Sequence, residues 1–210
     1  MTAFSHQLTD GGDDVGHGHT HGFSITDVAP EIGDSFGVIS AGMGFRFTLA
    51  GIPKNAVISN AKVDLNPRLN STNTVCRARI LAEATDDAAK LTNNTEWDTA
   101  FAAATTAKVD WNPVPAWTQD SISSTPDISA IVQEIVDRSG WAAGNHIQIF
   151  IDDSDERRSD ASADRQIDSV ESSGTAATLT FDWVSGAAAE FEFVAVTYEH
   201  LQVPGRTVVM

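Results

Sequence analysis

The sequence contains a single cysteine, Cys76, in 210 residues. Because no intrachain disulfide can form, a hydrophobic core must hold the fold without covalent bracing. No histidine lies near Cys76 in the sequence. We therefore interpret its thiol as a buried structural group rather than an activated nucleophile.

Long apolar runs are also missing. No segment approaches the roughly 18 consecutive apolar residues that cross a bilayer. Residues 1–14 show neither the basic nor the apolar part of a secretory signal peptide. We therefore expect no membrane insertion and no export by the usual route.

Positive charge is scarce, because 13 Lys and Arg residues face 29 Asp and Glu residues, for a net charge of −16. Such a surface repels phosphate backbones, which argues against nucleic-acid binding. Acid-rich, lysine-poor surfaces suit high salt, where repulsion between carboxylates is screened. A halophilic or marine source is one interpretation, and an ordinary, highly soluble acidic protein is the other.

What the sequence does contain is alternation of apolar and polar residues, the pattern of half-buried strands. Gly, Asn, Asp and Ser separate the alternating stretches, as in antiparallel sandwiches rather than βαβ units. We therefore predict an all-β antiparallel sandwich. The alternating stretches are 43–65 (two strands and a turn), 74–84, 145–153, 175–184 and 190–203.

A helix is predicted over about 126–138. Thr125 can cap its amides, Pro126 suits the first helical position and Gly140 suits the end. Its apolar stripe should cover a sheet edge or one end of the sandwich. A shorter helix is expected near 96–104, where Trp97 and Phe101 share one face. The stripe of the longer helix consists of Ile128, Ile131, Val132, Ile135 and Val136.

The stretch from Gly42 to Trp183, about two-thirds of the chain, resembles a jelly-roll module of tailed-phage and archaeal-virus virion proteins. Related modules in extracellular proteins look like carbohydrate-binding modules. The resemblance rests on GFRFTLAGIPKNAVISNAKVDL, on VDWNPVPAWTQDSISSTPDISAIVQEIVDRSGWAAGNHIQIFI and on ATLTFDW. Its most specific residues are Trp111, Trp117, Thr125 to Ile128, Gly140 with Trp141, and Gly144 with Asn145.

This resemblance divides the chain into three parts. Residues 1–42 would form N-terminal strands with a flexible segment rich in His, Gly and Asp, and residues 43–184 the jelly-roll core. Residues 185–210 extend beyond the module and end in LQVPGRTVVM. The extension is either a docking arm that adds a strand to a neighbouring subunit or a last sheet strand with a frayed end.

GHGHTHG (residues 16–22) is a candidate metal site. In an extended strand, His17, His19 and His21 point to one face about 6.5 to 7 Å apart. This spacing suits histidines that meet on a symmetry axis, and the pattern resembles phage fibres and spikes that hold a transition metal between chains. The alternative is a solvated loop, because three glycines raise the entropy cost of ordering it.

The acidic stretch 151–168, which begins at the end of the 145–153 strand, is a candidate calcium site, because Ca²⁺ takes several carboxylate oxygens. Asp152, Asp153 and Asp155 are the candidate ligands. The stretch lacks the glycine and the distal glutamate of an EF-hand loop. Nearby arginines favour the alternative of an exposed loop with internal ion pairs.

Trp97, Trp111 and Trp117 lie in the loop-rich 95–123 segment, where indole faces can form a platform for sugar rings. The alternative is burial, which is usual for large aromatic residues. Sequence motifs of hydrolases, P-loop enzymes and metalloproteases are lacking. We expect a non-enzyme that needs no cofactor.

The resemblance then implies a virion structural protein exposed on the particle, either a capsid decoration or turret subunit or a tail or fibre accessory. Its partners would be other virion proteins and further copies of itself, with assembly in the host cytoplasm. The alternative is a carbohydrate-binding adhesion module that attaches the particle to host-surface glycans.

Overall fold

The computed structural model describes residues 1–18, 22–35, 38–72, 75–153, 159–160, 162–172 and 174–186. These residues form strands and two short helices. The strands are β1 (Thr2–Gln7), β2 (Asp14–Gly18), β3 (Gly22–Ser24), β4 (Glu31–Ser35), β5 (Val38–Thr48), β6 (Val57–Leu65), β7 (Cys76–Ala82), β8 (Val109–Val114), β9 (Ser123–Ser124), β10 (His146–Asp152), β11 (Asp164–Gln166) and β12 (Thr178–Val184). The helices are α1 (Asn94–Ala102) and α2 (Ser129–Val136).

The strands form two antiparallel sheets. The first sheet has the order β1-β12-β6-β9. The second has the order β11-β4-β5-β10-β7-β8, and β2 pairs with both β5 and β3. The predicted all-β, antiparallel, sandwich-like architecture is confirmed.

The core lies between the two sheets and follows the alternation of the sequence. Phe45 and Phe47 of β5 and Ile149 of β10 are fully buried, and they join one cluster with Val63 of β6 and Leu179 of β12. Burial of apolar area of this kind stabilises by about 25 cal/mol per Å². The same cluster includes the stripe of α2, so the helix belongs to the sandwich core.

Helix α2 is shorter than the predicted 126–138 range, because residues 125–128 are held against β6. The Thr125 amide donates to the Val63 carbonyl at 3.0 Å, and the Ile128 amide donates to the Ala61 carbonyl at 2.8 Å. The predicted capping role of Thr125 is therefore wrong. Its hydroxyl instead accepts a hydrogen bond from the Val63 amide at 3.0 Å.

Helix α2 closes the edge of β6, which is one of the two placements that its apolar stripe predicted. The Gln133 side chain donates from Nε2 to the Ala56 carbonyl and accepts at Oε1 from the Ile58 amide, each at 2.9 Å. The Ser129 hydroxyl accepts from the Ala61 amide at 3.0 Å. Side chains of the helix thus supply hydrogen bonds that a neighbouring strand would otherwise make.

Helix α1 starts two residues before the predicted position. Asn93 precedes it with an extended backbone, and its side chain accepts from the Glu96 amide at 3.0 Å, which caps the helix. The helix covers the outer face of the second sheet. There Trp97, Leu81 and Phe150 form a second buried cluster.

We predict that Gln133→Met destabilises the protein by about 1 to 3 kcal/mol. The substitution keeps the volume of the side chain but leaves the Ile58 amide and the Ala56 carbonyl without their partner. The measurement is the free energy of unfolding from urea denaturation. Gln119→Met, at an exposed position, is the matched control and should stay within about 0.5 kcal/mol of wild type. Equal free energies of unfolding for the two variants would contradict this account of the β6 edge.

Candidate functional site

The histidine run is only partly described. His17 lies in β2, opposite Gly42 of β5 and Phe23 of β3. Its imidazole stacks on the Trp97 indole, with ring centroids 4.7 Å apart and planes 7° from parallel. His19 and His21 lie outside the described residues, so the transition-metal site stays a prediction.

The acidic pair at the end of β10 is buried, so the alternative of an exposed loop is wrong for these two residues. Asp152 and Asp153 are 4% and 1% exposed, while Asp155 lies outside the described residues. Asp153 Oδ2 accepts from the Ser159 amide at 3.1 Å, and burial raises the pKa of this carboxyl to about 6. The neighbouring charges of Asp152 and Asp34 raise the pKa further.

No group of three or more His, Cys, Asp or Glu side chains within the described ranges is arranged to hold a metal ion. Asp153 Oδ1 is buried and has no hydrogen-bond partner there. The arrangement is that of a carboxyl group that desolvation pushes towards its neutral form. Calcium binding at Asp152, Asp153 and Asp155 stays a prediction.

The three candidate tryptophans do not form an exposed platform. Trp97, Trp111 and Trp117 are only 2%, 5% and 2% exposed. Trp111 and Trp117 belong to the main core, with ring centroids 6.3 Å apart. Stacking on a sugar ring requires an accessible indole face, so the hypothesis of a glycan platform at these three residues is wrong.

Gly44 shows why Trp97 is buried. A Cβ atom at this position of β5 would lie 2.9 Å from Trp97 Cζ3 and 3.0 Å from Val15 Cγ2. The glycine therefore leaves space on the outer face of the second sheet, and the indole of α1 fills it. Phe150 completes the contact, with its ring edge-on to the indole at 4.8 Å between centroids.

Sequence reasoning missed Asp14, a buried carboxylate in β2. Asp14 is 2% exposed and lies opposite Phe45, so it faces the sandwich interior with its partner. Its Oδ2 accepts from the Val170 amide at 2.7 Å, and its Oδ1 is buried with no hydrogen-bond partner in the described structure. Burial raises the pKa of Asp14 to about 7, and the charge of Glu171 adds to the effect.

The sequence gives little signal for this group. The next inward residue after Asp14 is Gly16, opposite Met43. A glycine carries no side chain, so the alternation that would mark the inward face of β2 is hidden. Aspartate is also depleted in strands, which favours reading the segment as a loop.

Cys76 is buried and free, as predicted. Burial raises the pKa of its thiol to about 11, so at neutral pH the group is protonated. A protonated thiol is neither a nucleophile nor a metal ligand. The structure thus gives Cys76 a packing role.

A surface cavity of about 330 Å³ lies between α1 and residues 83–91. Two of its charged side chains are engaged in protein contacts. Glu96 accepts from the Thr92 amide at 2.7 Å, and Lys90 pairs with Asp10 at 2.7 Å. The third, Glu83, is partly buried, and desolvation raises its pKa.

No protein-family model matches this sequence, and no curated protein matches it. Neither helix of the described ranges has the length and apolar character that crossing a membrane requires.

We predict that the thermal unfolding midpoint (Tm) of the wild-type protein decreases as the pH is raised from 5 to 8, in part because Asp14 ionises. A carboxyl whose pKa is raised in the folded state favours folding most below its unfolded pKa of about 4. This contribution is lost as the pH rises through the folded value of about 7. Asp14→Asn cannot ionise, so it should show a smaller fall and a higher midpoint than wild type at pH 8.

Asp98→Asn is the matched control, because it removes the same formal charge from an exposed position of α1. It should reproduce the wild-type fall between the two pH values. If Asp14→Asn falls as far as this control, ionisation of Asp14 does not govern the pH dependence.

Proposed function

We propose that this chain is a non-enzymatic structural subunit of a virus particle, exposed as a capsid decoration or turret or as a tail or fibre accessory. The proposal is supported by the positions of the residues that carry the resemblance, because they lie in the core of the fold. Trp111 and Trp117 are core residues, and Trp141 donates from Nε1 to the Ile52 carbonyl at 3.0 Å. The most specific part of the resemblance therefore builds a framework.

The segment from Gly140 to Asn145 fits the same interpretation. Gly144 has a positive φ of 95°, which glycine adopts without strain, and its amide donates to the Leu49 carbonyl at 3.0 Å. Asn145 donates from its side chain to the Asp86 carbonyl at 3.0 Å. These contacts set the turn that leads into β10, the strand between β5 and β7.

The outer face of the first sheet also suits a subunit that stands in solvent. Its outward side chains are mostly polar and none is aromatic, although Val57 and Val184 are exposed at one end: Ala3, Ser5, Gln7, Val57, Ser59, Lys62, Asp64, Thr178, Thr180, Asp182 and Val184. The net charge of −16 makes identical subunits repel each other at long range. Specific short-range contacts would then determine where the subunit is held.

The test is copurification of the full chain with particles. Virus particles from a culture that produces the protein are banded on a density gradient, and each fraction is analysed by mass spectrometry and by gold-labelled antibodies against the chain. We expect the protein in the particle band, with gold on the outer surface of intact particles. Recovery of the protein only in the soluble fraction would reject the virion role.

A further inference from the structure

The sheet edges of the described structure are protected, with one exception. The β6 edge is covered by β9 and α2. In β8, Pro113 has no amide hydrogen to offer. The edge strands β3 and β11 are only three residues long. Short strands, prolines and covering elements are the usual means by which proteins prevent strand addition.

The exception is β1, the outer strand of the first sheet. It is six residues long and pairs with β12 from Thr2 opposite Trp183 to Gln7 opposite Thr178. No other strand of the described ranges pairs with it. Four of its six residues are exposed.

The register shows which backbone groups of β1 face outward. The Leu8 amide donates to the Ala177 carbonyl at 3.0 Å, directly beyond the last pair of the ladder. Bonded and non-bonded pairs alternate along an antiparallel ladder. The amides and carbonyls of Ala3, Ser5 and Gln7 therefore point away from β12.

The composition of β1 leaves this edge unprotected. Its sequence, TAFSHQ, contains no proline, lysine or carboxylate, although 29 of the 210 residues of the chain are acidic. Charged residues and prolines are the side chains that commonly block such an edge. The neutral edge of β1 can accept a strand from an acidic chain without direct repulsion between carboxylates.

We propose that residues 190–203 of a second copy of this chain add to β1 as an antiparallel strand. This segment, EFEFVAVTYEHLQV, has the alternation of a strand and lies outside the described residues. It follows β12 after a short connection, so every copy carries both a donor segment and an acceptor edge. Fourteen extended residues span about 48 Å, enough to cover the roughly 20 Å of β1.

The direction of the strands favours a second copy over the same chain. Since β1 is antiparallel to β12, a segment that turned back from β12 to its own β1 would run parallel to β1. Parallel pairing is less stable per residue than antiparallel pairing. A segment from another copy can approach in the antiparallel direction.

Strand exchange of this kind links subunits head to tail, which gives closed rings or open chains. The inference deepens the proposed assembly role and rests on it only for its biological purpose, because self-association is measured on the isolated protein.

The experiment compares Ser5→Pro with Ser5→Ala in the full-length chain. Proline removes the Ser5 amide hydrogen, which points away from β12, and edge strands tolerate proline at such positions. Alanine removes the hydroxyl but keeps the amide hydrogen. The molar mass is measured by light scattering during size exclusion and by sedimentation over a wide range of concentrations.

We expect wild type and Ser5→Ala to associate above the 22.4 kDa monomer mass as concentration rises. Ser5→Pro should need at least tenfold higher concentration for the same degree of association. Its circular dichroism and urea midpoint should match those of Ser5→Ala. A wild-type chain that stays monomeric throughout, or a Ser5→Pro chain that associates equally well, overturns the inference.

A variant of the donor segment keeps the test decisive if Ser5→Pro reduces stability. Val196→Pro, with Val196→Thr as its control, interrupts the middle of residues 190–203 and leaves β1 unchanged. Only the proline variant should lose association, and normal association of Val196→Pro overturns the inference. If the wild-type protein is absent from virus particles but still self-associates in solution, the virion role is rejected and the inference of strand exchange is retained.

Discussion

The structure depends on how the backbone groups at the edges of its sheets are satisfied. A buried amide or carbonyl without a partner costs roughly as much as a lost hydrogen bond, so each strand edge needs a partner or water. At β6 the partner is a helix. Gln133 and Ser129 of α2 present side-chain oxygens and an amide group where a strand would present its backbone. The apolar stripe of the same helix packs in the core, so one helix both closes the sheet edge and contributes to the core.

The second constraint is which face of the second sheet each aromatic or polar side chain occupies. Helix α1 adds a third layer over the second sheet, and Trp97 reaches the sheet because Gly44 leaves space for it. On the inner face, Asp14 is buried opposite Phe45 with one oxygen bound to the Val170 amide. Burial of a carboxyl costs less free energy when the group is neutral. The stability of the folded protein therefore depends on pH through Asp14.

The residues that carry the resemblance pack in the core and in the turns of the sandwich, and they form no exposed binding surface in the described structure. The tryptophans that sequence reasoning offered as a glycan platform instead build the core, and this removes the main support for an adhesion role at those positions. The edges differ in a way that suits assembly. The β6 edge is closed by a helix, whereas β1 presents a neutral, unprotected edge to solvent. This asymmetry leaves β1 as the edge at which the proposed strand addition would take place.

Local patterns in the sequence predicted β5, β6, β7, β10 and β12, the two helices and the antiparallel class, because alternation and helical spacing are properties of neighbouring residues. They also indicated that the stripe from Ile128 to Val136 would cover either a sheet edge or one end of the sandwich. They did not predict β8, β9 and β11, which are short or lie in segments that the sequence favoured as loops. Tertiary structure alone decided which side of a sheet Trp97 faces, that Thr125 bonds to β6 rather than capping a helix, and that Asp14 is buried. Each of these depends on contacts between residues far apart in the chain, and sequence spacing carries no record of the partner.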